Sequence, residues 1–175
     1  MNEQSPPRRK APPHLCPDAR LSTSTKVVDG RPVIDTESYI PYYLTAVNSA
    51  LTAGASAVYL RDFGIGVTEW RVLSTLAADT GLSAVNIAEH LSMDKGAVSR
   101  ALRQLEQLGY ATTEPAENDG RRRMLAITPT GLSIHDRILA VALERERDLI
   151  RGVDPEDLEA FLRVMRILRL NVRAL

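Results

Sequence analysis

With 175 residues, 44% of them hydrophobic and 25% charged, the chain has the length and composition of one globular domain with extensions. Its 22 basic and 22 acidic side chains cancel, which excludes a uniformly basic coat and leaves any attraction for a polyanion to the placement of charge. A lone cysteine, Cys16, excludes an intrachain disulfide and a cysteine-based metal cluster, and no apolar run nears the ~20 residues that span a bilayer.

Residues 1–34 open with P-P-R-R-K-A-P-P-H-L-C-P, too rich in proline and charge to build a core. They are expected to form a flexible arm with a short extended piece near residues 26–34. The arm carries six basic and three acidic residues and reads as a dispensable tail, ahead of a contact with DNA or with a second subunit. No apolar stretch of signal-peptide type follows its charges, so a cytoplasmic location is expected. A long helix is predicted from Asp35, with Pro41 in its first turn, where a missing N–H costs little. Ile40, Leu44, Val47, Leu51 and Val58 recur along it at helical spacing, and Gly64-Ile65-Gly66 ends it. Thr68 is then read as the cap of a helix over residues 69–79, with Val72, Leu73 and Leu76 inward.

The next stretch carries the most information. Ala84, Ile87, Ala88 and Leu91 mark one buried helical face, Ser92-Met93-Asp94 supplies a turn, and Ser92 or Asp94 caps a second helix. That helix is expected to bury Val98, Ala101 or Leu102, Leu105 and Leu108 before Gly109 stops it. Its other face carries Lys95, Ser99, Arg100 and Arg103, and the four-residue steps from Lys95 to Ser99 to Arg103 put those three on one side. Cations and hydroxyls so placed meet phosphates and base edges in a major groove, although a charged outer face is also what any solvated helix shows. Residues 111–114 and 124–128 read as two short strands of a hairpin joined by P-A-E-N-D-G-R-R-R. Arg121, Arg122 and Arg123 at its tip suit the minor groove or neighbouring phosphates, or else pair with Glu114, Glu117 and Asp119.

After the hairpin, Thr128-Pro129 starts a helix that is expected to bury Leu132, Ile138, Leu139, Ala142 and Leu149. Asp154-Pro155 starts the last one, with Leu158, Phe161, Leu162, Met165, Leu168 and Val172 in one stripe. A lone winged helix does not need these long helices, so their stripes call for a second copy of the chain. No catalytic constellation emerges, because His14, His90 and His135 lie far apart and the ten glycines are scattered. Neither an enzyme nor a cofactor is expected.

L-R-Q-L-E-Q-L-G-Y followed by D-G-R-R-R-M-L-A-I-T-P-T-G, with T-E-W-R-V-L upstream, resembles the multiple-antibiotic-resistance regulator (MarR) family of bacterial transcription factors over residues 36–175. The resemblance implies a mainly α fold with a small β-hairpin wing. Residues 68–131 would form a winged helix-turn-helix lobe that binds double-stranded DNA, and residues 35–66 and 132–175 a helical dimerisation region. In this homodimer two reading heads would face a pseudo-palindromic operator, about 34 Å apart. DNA contacts would come from Lys95, Ser99, Arg100, Arg103, Arg121 and Arg122, with Asp119 orienting the wing. Gly120 stands where many members carry arginine, which shifts weight onto Arg121 and Arg122. The family also implies a small aromatic or anionic effector that releases a repressor from its operator. Tyr39, Tyr43, Trp70, Arg71 and His135 are the candidates for holding an aromatic acid, by stacking and by a guanidinium–carboxylate pair. The rival expectation is a winged-helix adaptor that binds protein and no DNA, favoured by the neutral net charge.

Overall fold

The computed structural model describes residues 20, 22–79, 81–116 and 119–174, and of residues 115, 116, 119–123 and 174 it describes the backbone alone. Cys16, most of the expected arm and the side chains of Asp119, Arg121 and Arg122 therefore lie outside the described residues. The elements in chain order are β1 (Thr25–Val28), β2 (Arg31–Ile34), α1 (Ile40–Phe63), α2 (Val67–Ala78), α3 (Ala84–Leu91), α4 (Lys95–Gln107), β3 (Ala111–Ala116), β4 (Asp119–Ile127), α5 (Pro129–Leu149) and α6 (Pro155–Asn171), with a 3-10 turn at Val172–Ala174. The fold is thus mainly α with a small β-hairpin wing. No helix among the described residues is long and apolar enough to cross a membrane.

The chain divides into two compact units, Met1–Gly54 and Ala55–Leu175. In the first, the extended piece expected near residues 26–34 is a tight antiparallel hairpin, with Thr25 opposite Ile34 and Val28 opposite Arg31. Asp29 and Gly30 both have positive φ (49° and 73°), the two-residue turn whose twist matches that of the strands. The helix expected from Asp35 begins only at Ile40. Pro41 has no N–H and its ring needs the space of the carbonyl four residues earlier, so residues 35–39 form a turn in which the Tyr39 N–H donates to the Asp35 carbonyl at 2.9 Å.

In the second unit α2 lies at the centre, packed on α3, α4, α5 and β4. Val72, Leu73 and Leu76 from α2, Ile87 from α3, Val98 and Leu105 from α4, Ile65 and Ile138 are fully buried together. Side chains of this size each contribute roughly 1.5–3 kcal/mol when removed from water. The cap of α2 differs from expectation. Gly66, not Thr68, is the N-cap, and the Glu69 carboxylate reaches back to accept the Gly66 N–H at 3.0 Å. Glu69 directly follows Thr68 and is two residues too close to serve as its partner, since the reciprocal bond spans three residues.

In the long C-terminal helices the expected burial holds only in part, while the uncovered stripes are those expected to call for a second copy. Of the residues expected inside α5, Ile138 is buried and Ala142 packs partly against the core, whereas Leu132, Leu139 and Leu149 are exposed. No residue of α6 is buried, and Phe161 and Leu162 of its stripe are exposed together with Val172 just beyond it. The periodicity was a true sign of helices but not of an intrachain neighbour to cover them.

Candidate nucleic-acid interface

The helix-turn-helix is held by local bonds that its sequence spells out. Ser83 caps α3 by accepting the Asn86 N–H at 3.2 Å. The turn closes when Ser92 takes the left-handed conformation (φ 52°), which lets the Met93 N–H donate to the Ala88 carbonyl at 2.9 Å. Of the two capping candidates Asp94 is the one used, accepting the Ala97 N–H at 3.0 Å. Gly96 leaves the cap room, since a Cβ there would sit 2.9 Å from an Asp94 carboxylate oxygen and make the side chain shift. Val98, Ala101, Leu102 and Leu105 then anchor α4 from beneath. That settles the open choice between Ala101 and Leu102, because the buried face is wide enough to take both.

This anchoring leaves the opposite face of α4 in solvent. Lys95, Arg100 and Arg103 are exposed, and Ser99 is half-buried toward the root of the wing, so among the described residues nothing buries the three cations. Leu108, expected inside, is exposed at the end of the helix, where the chain has already turned toward Gly109. It borders a shallow hollow of about 440 Å³ lined by Arg100, Arg103, Gln104, Gln107 and Leu108. Two guanidiniums, two amides and one apolar edge are a set able to meet phosphates, base-edge acceptors and a thymine methyl group.

The wing is fastened to the same scaffold. Leu125 of β4 exchanges backbone bonds with the α2–α3 connection, accepting from Gly81 N–H at 3.1 Å and donating to the Leu82 carbonyl at 3.0 Å. At the other end Thr128 ties three segments together. Its hydroxyl donates to the Gly109 carbonyl at 2.6 Å and accepts the Gly131 N–H at 3.0 Å, while its own N–H donates to the Tyr110 carbonyl at 3.0 Å. The strands run further than expected, since Pro115, Ala116 and residues 119–123 belong to β3 and β4. Arg121, Arg122 and Arg123 thus lie in the returning strand, with Arg123 opposite Pro115, instead of at a loop tip.

One contact was not foreseen from the sequence. Glu106, an acid on the otherwise cationic side of α4, accepts a hydrogen bond from the Thr113 hydroxyl of β3. With Ala84, Ser99, Leu102, Arg103 and Leu125 the two line a cleft of about 260 Å³ between α4 and the root of the wing. The sequence signal was available, because a lone carboxylate among basic neighbours calls for a partner, but the partner lies on another element.

The five effector candidates are brought together only in part. Trp70 stacks on His135 with ring centroids 5.2 Å apart and planes 26° from parallel. Tyr59, which sequence reading passed over, is buried and meets Trp70 edge-on at 6.1 Å, and burial pushes its phenol above the ordinary pKa. Arg71 follows Trp70 on α2 and is half-buried. Tyr39 and Tyr43 belong to the other compact unit, where the Tyr43 hydroxyl donates to the Glu37 carbonyl at 3.1 Å.

Comparison with known proteins bears on what this surface serves. The profile of the MarR family matches residues 63–122. An HTH-type transcriptional repressor of Mycobacterium tuberculosis is 30% identical over 119 residues, which are 67% of this chain and 85% of the relative. The HTH-type transcriptional regulator PecS of Dickeya dadantii is 25% identical over 130 residues, 73% of this chain and 78% of PecS. Among solved structures, a MarR/EmrR family transcriptional regulator from Acinetobacter sp. ADP1 is similar with a TM-score of 0.76 and 27% identity, over 81% of this chain and 100% of the other.

Proposed function

The chain belongs to the MarR family, and on that premise we propose that it is a sequence-specific DNA-binding transcriptional regulator, a homodimer that acts as a repressor and leaves its operator when it binds a small aromatic or anionic molecule. The observation that carries this reading is the uncovered polar face of α4, where Lys95, Ser99, Arg100 and Arg103 project from a helix capped at Asp94 and buried along its other side. A rigid support of this kind lets side chains read base edges without first having to be ordered. Arg121 and Arg122, with Asp119 orienting them, are assigned to the wing's contact with the neighbouring backbone or minor groove.

Dimerisation is assigned to the exposed apolar residues of α1, α5 and α6, which together give a pair of α4 helices one DNA turn apart, about 34 Å. Trp70, Arg71 and His135, with Tyr39 and Tyr43, are assigned to the effector. Its binding would favour a head spacing that no longer fits the two half-sites. The protein works in the cytoplasm, where its operator is. Selection from a random pool of duplex DNA is expected to enrich a pseudo-palindrome, and a panel of aromatic acids is expected to contain one that releases it. Failure to enrich any sequence would overturn the reading.

A further inference from the structure

Among the described residues of the first compact unit, residues 20 and 22–54, not one is buried. Ten large apolar side chains there are exposed, from Val27 through Leu51. A two-stranded hairpin alone is marginal in water. Yet the hairpin is firmly joined to the start of α1. The Ser38 hydroxyl donates to the Thr23 carbonyl at 2.5 Å, the Arg20 guanidinium donates to the Ser38 carbonyl at 3.0 Å, and the Lys26 ammonium lies 3.3 Å from the Asp35 carboxylate. That hydrogen bond from Lys26 holds the Asp35 carboxyl below its ordinary pKa.

The register divides the hairpin into two unlike faces. Directly opposed residues share a face, so Thr25, Val27, Pro32 and Ile34 stand on one side and Lys26, Val28, Arg31 and Val33 on the other. The first side is apolar, with Val27 72% and Ile34 50% exposed. The second holds both cations, as a solvent side would.

We infer that the β1–β2 hairpin is an arm of the dimer, and that its Val27–Pro32–Ile34 face docks on the second copy of this chain. The inference rests on the dimer reading above and extends it beyond the helices. Two features single out a second copy as the occupant. The hairpin is tied by hydrogen bonds to the turn that leads into α1, whose exposed Ile40, Leu44 and Val47 are already assigned to the dimer. The chain also supplies further uncovered apolar surface of its own, since α6 buries no residue. An interface of usual size takes about 800 Å² from each partner, and a contact built from the helices and the hairpin together adds to that area without any other protein.

Two valines that are neighbours in β1 but point to opposite faces make the test. Val27→Glu with Ile34→Glu is expected to weaken the dimer about tenfold or more on dilution, followed by sedimentation velocity, whereas Val28→Glu changes it less than about twofold. Val27→Thr keeps strand propensity and is expected to weaken it about threefold, which guards against an effect of strand loss alone. A wild-type dimer left unchanged by the Val27 variants, or weakened equally by Val28→Glu, would overturn the inference while leaving the function intact. A wild type that stays monomeric at micromolar concentration would overturn the dimer reading and the hairpin's role together.

Discussion

The tightest position in the second unit is one that carries no side chain at all. Gly131 sits in the first turn of α5 with no room beside it. A Cβ there would lie 2.0 Å from the Tyr110 carbonyl oxygen and 2.9 Å from Ile127 Cγ1. Both neighbours are committed, since the Tyr110 carbonyl accepts the Thr128 N–H at 3.0 Å and Ile127 packs against the core. Gly131→Ala is therefore expected to destabilise the second unit by about 1–3 kcal/mol, the usual cost of overpacking, as read from urea denaturation. The contact explains a residue that the sequence presents only as a poor choice for a helix. Arg100 and Arg103 are the reverse case. Their exposure means that replacing them leaves the fold alone and takes effect only on a ligand, which makes them clean probes of function.

At the scale of elements, α3 and α4 were legible because each carries its own evidence: an apolar face at helical spacing and a capping side chain at the right offset. Asp94→Ala is expected to cost about 1 kcal/mol, and Asp94→Ser only a few tenths, because a hydroxyl can take over the bond to the Ala97 N–H. Denaturation of the two variants side by side checks this. Other boundaries misled for physical reasons. Pro115 and three successive arginines look like a loop, yet a two-stranded wing has only edge strands, and edges tolerate both proline and charge. Gly66 gives no capping signal because it has no side chain, and only the reach of Glu69 reveals it. The hairpin at Asp29-Gly30 was more readable than the sequence reading allowed. A positive-φ dipeptide between K-V-V and R-P-V-I is a strong hairpin signal, but the surrounding proline and charge made the whole segment look like an arm. The Glu106–Thr113 bond was out of reach, since nothing local says which strand the carboxylate will meet.

For the whole molecule, the exposed leucines of α5 and the unburied α6 make the single chain look unfinished. The sequence showed the stripes and the demand for a partner, whereas the assignment of Leu132, Leu139 and Leu149 to an interior was mistaken. The zero net charge then carries a definite meaning. On the proposed reading, attraction to DNA would come from the local set on α4 and β4, not from a diffuse field, and would depend on a small number of identifiable cations. The salt dependence of binding to a selected operator measures that number most directly, with wild type and Arg103→Ala compared at equal pH. The expected result is a steep linear fall of log affinity with log salt, shallower in Arg103→Ala by about one for each subunit's lost phosphate contact, or a relaxed base preference if Arg103 reads a guanine. Affinity that ignores salt, and ignores Arg103 at every sequence tested, would contradict the account and leave a winged helix that recognises protein.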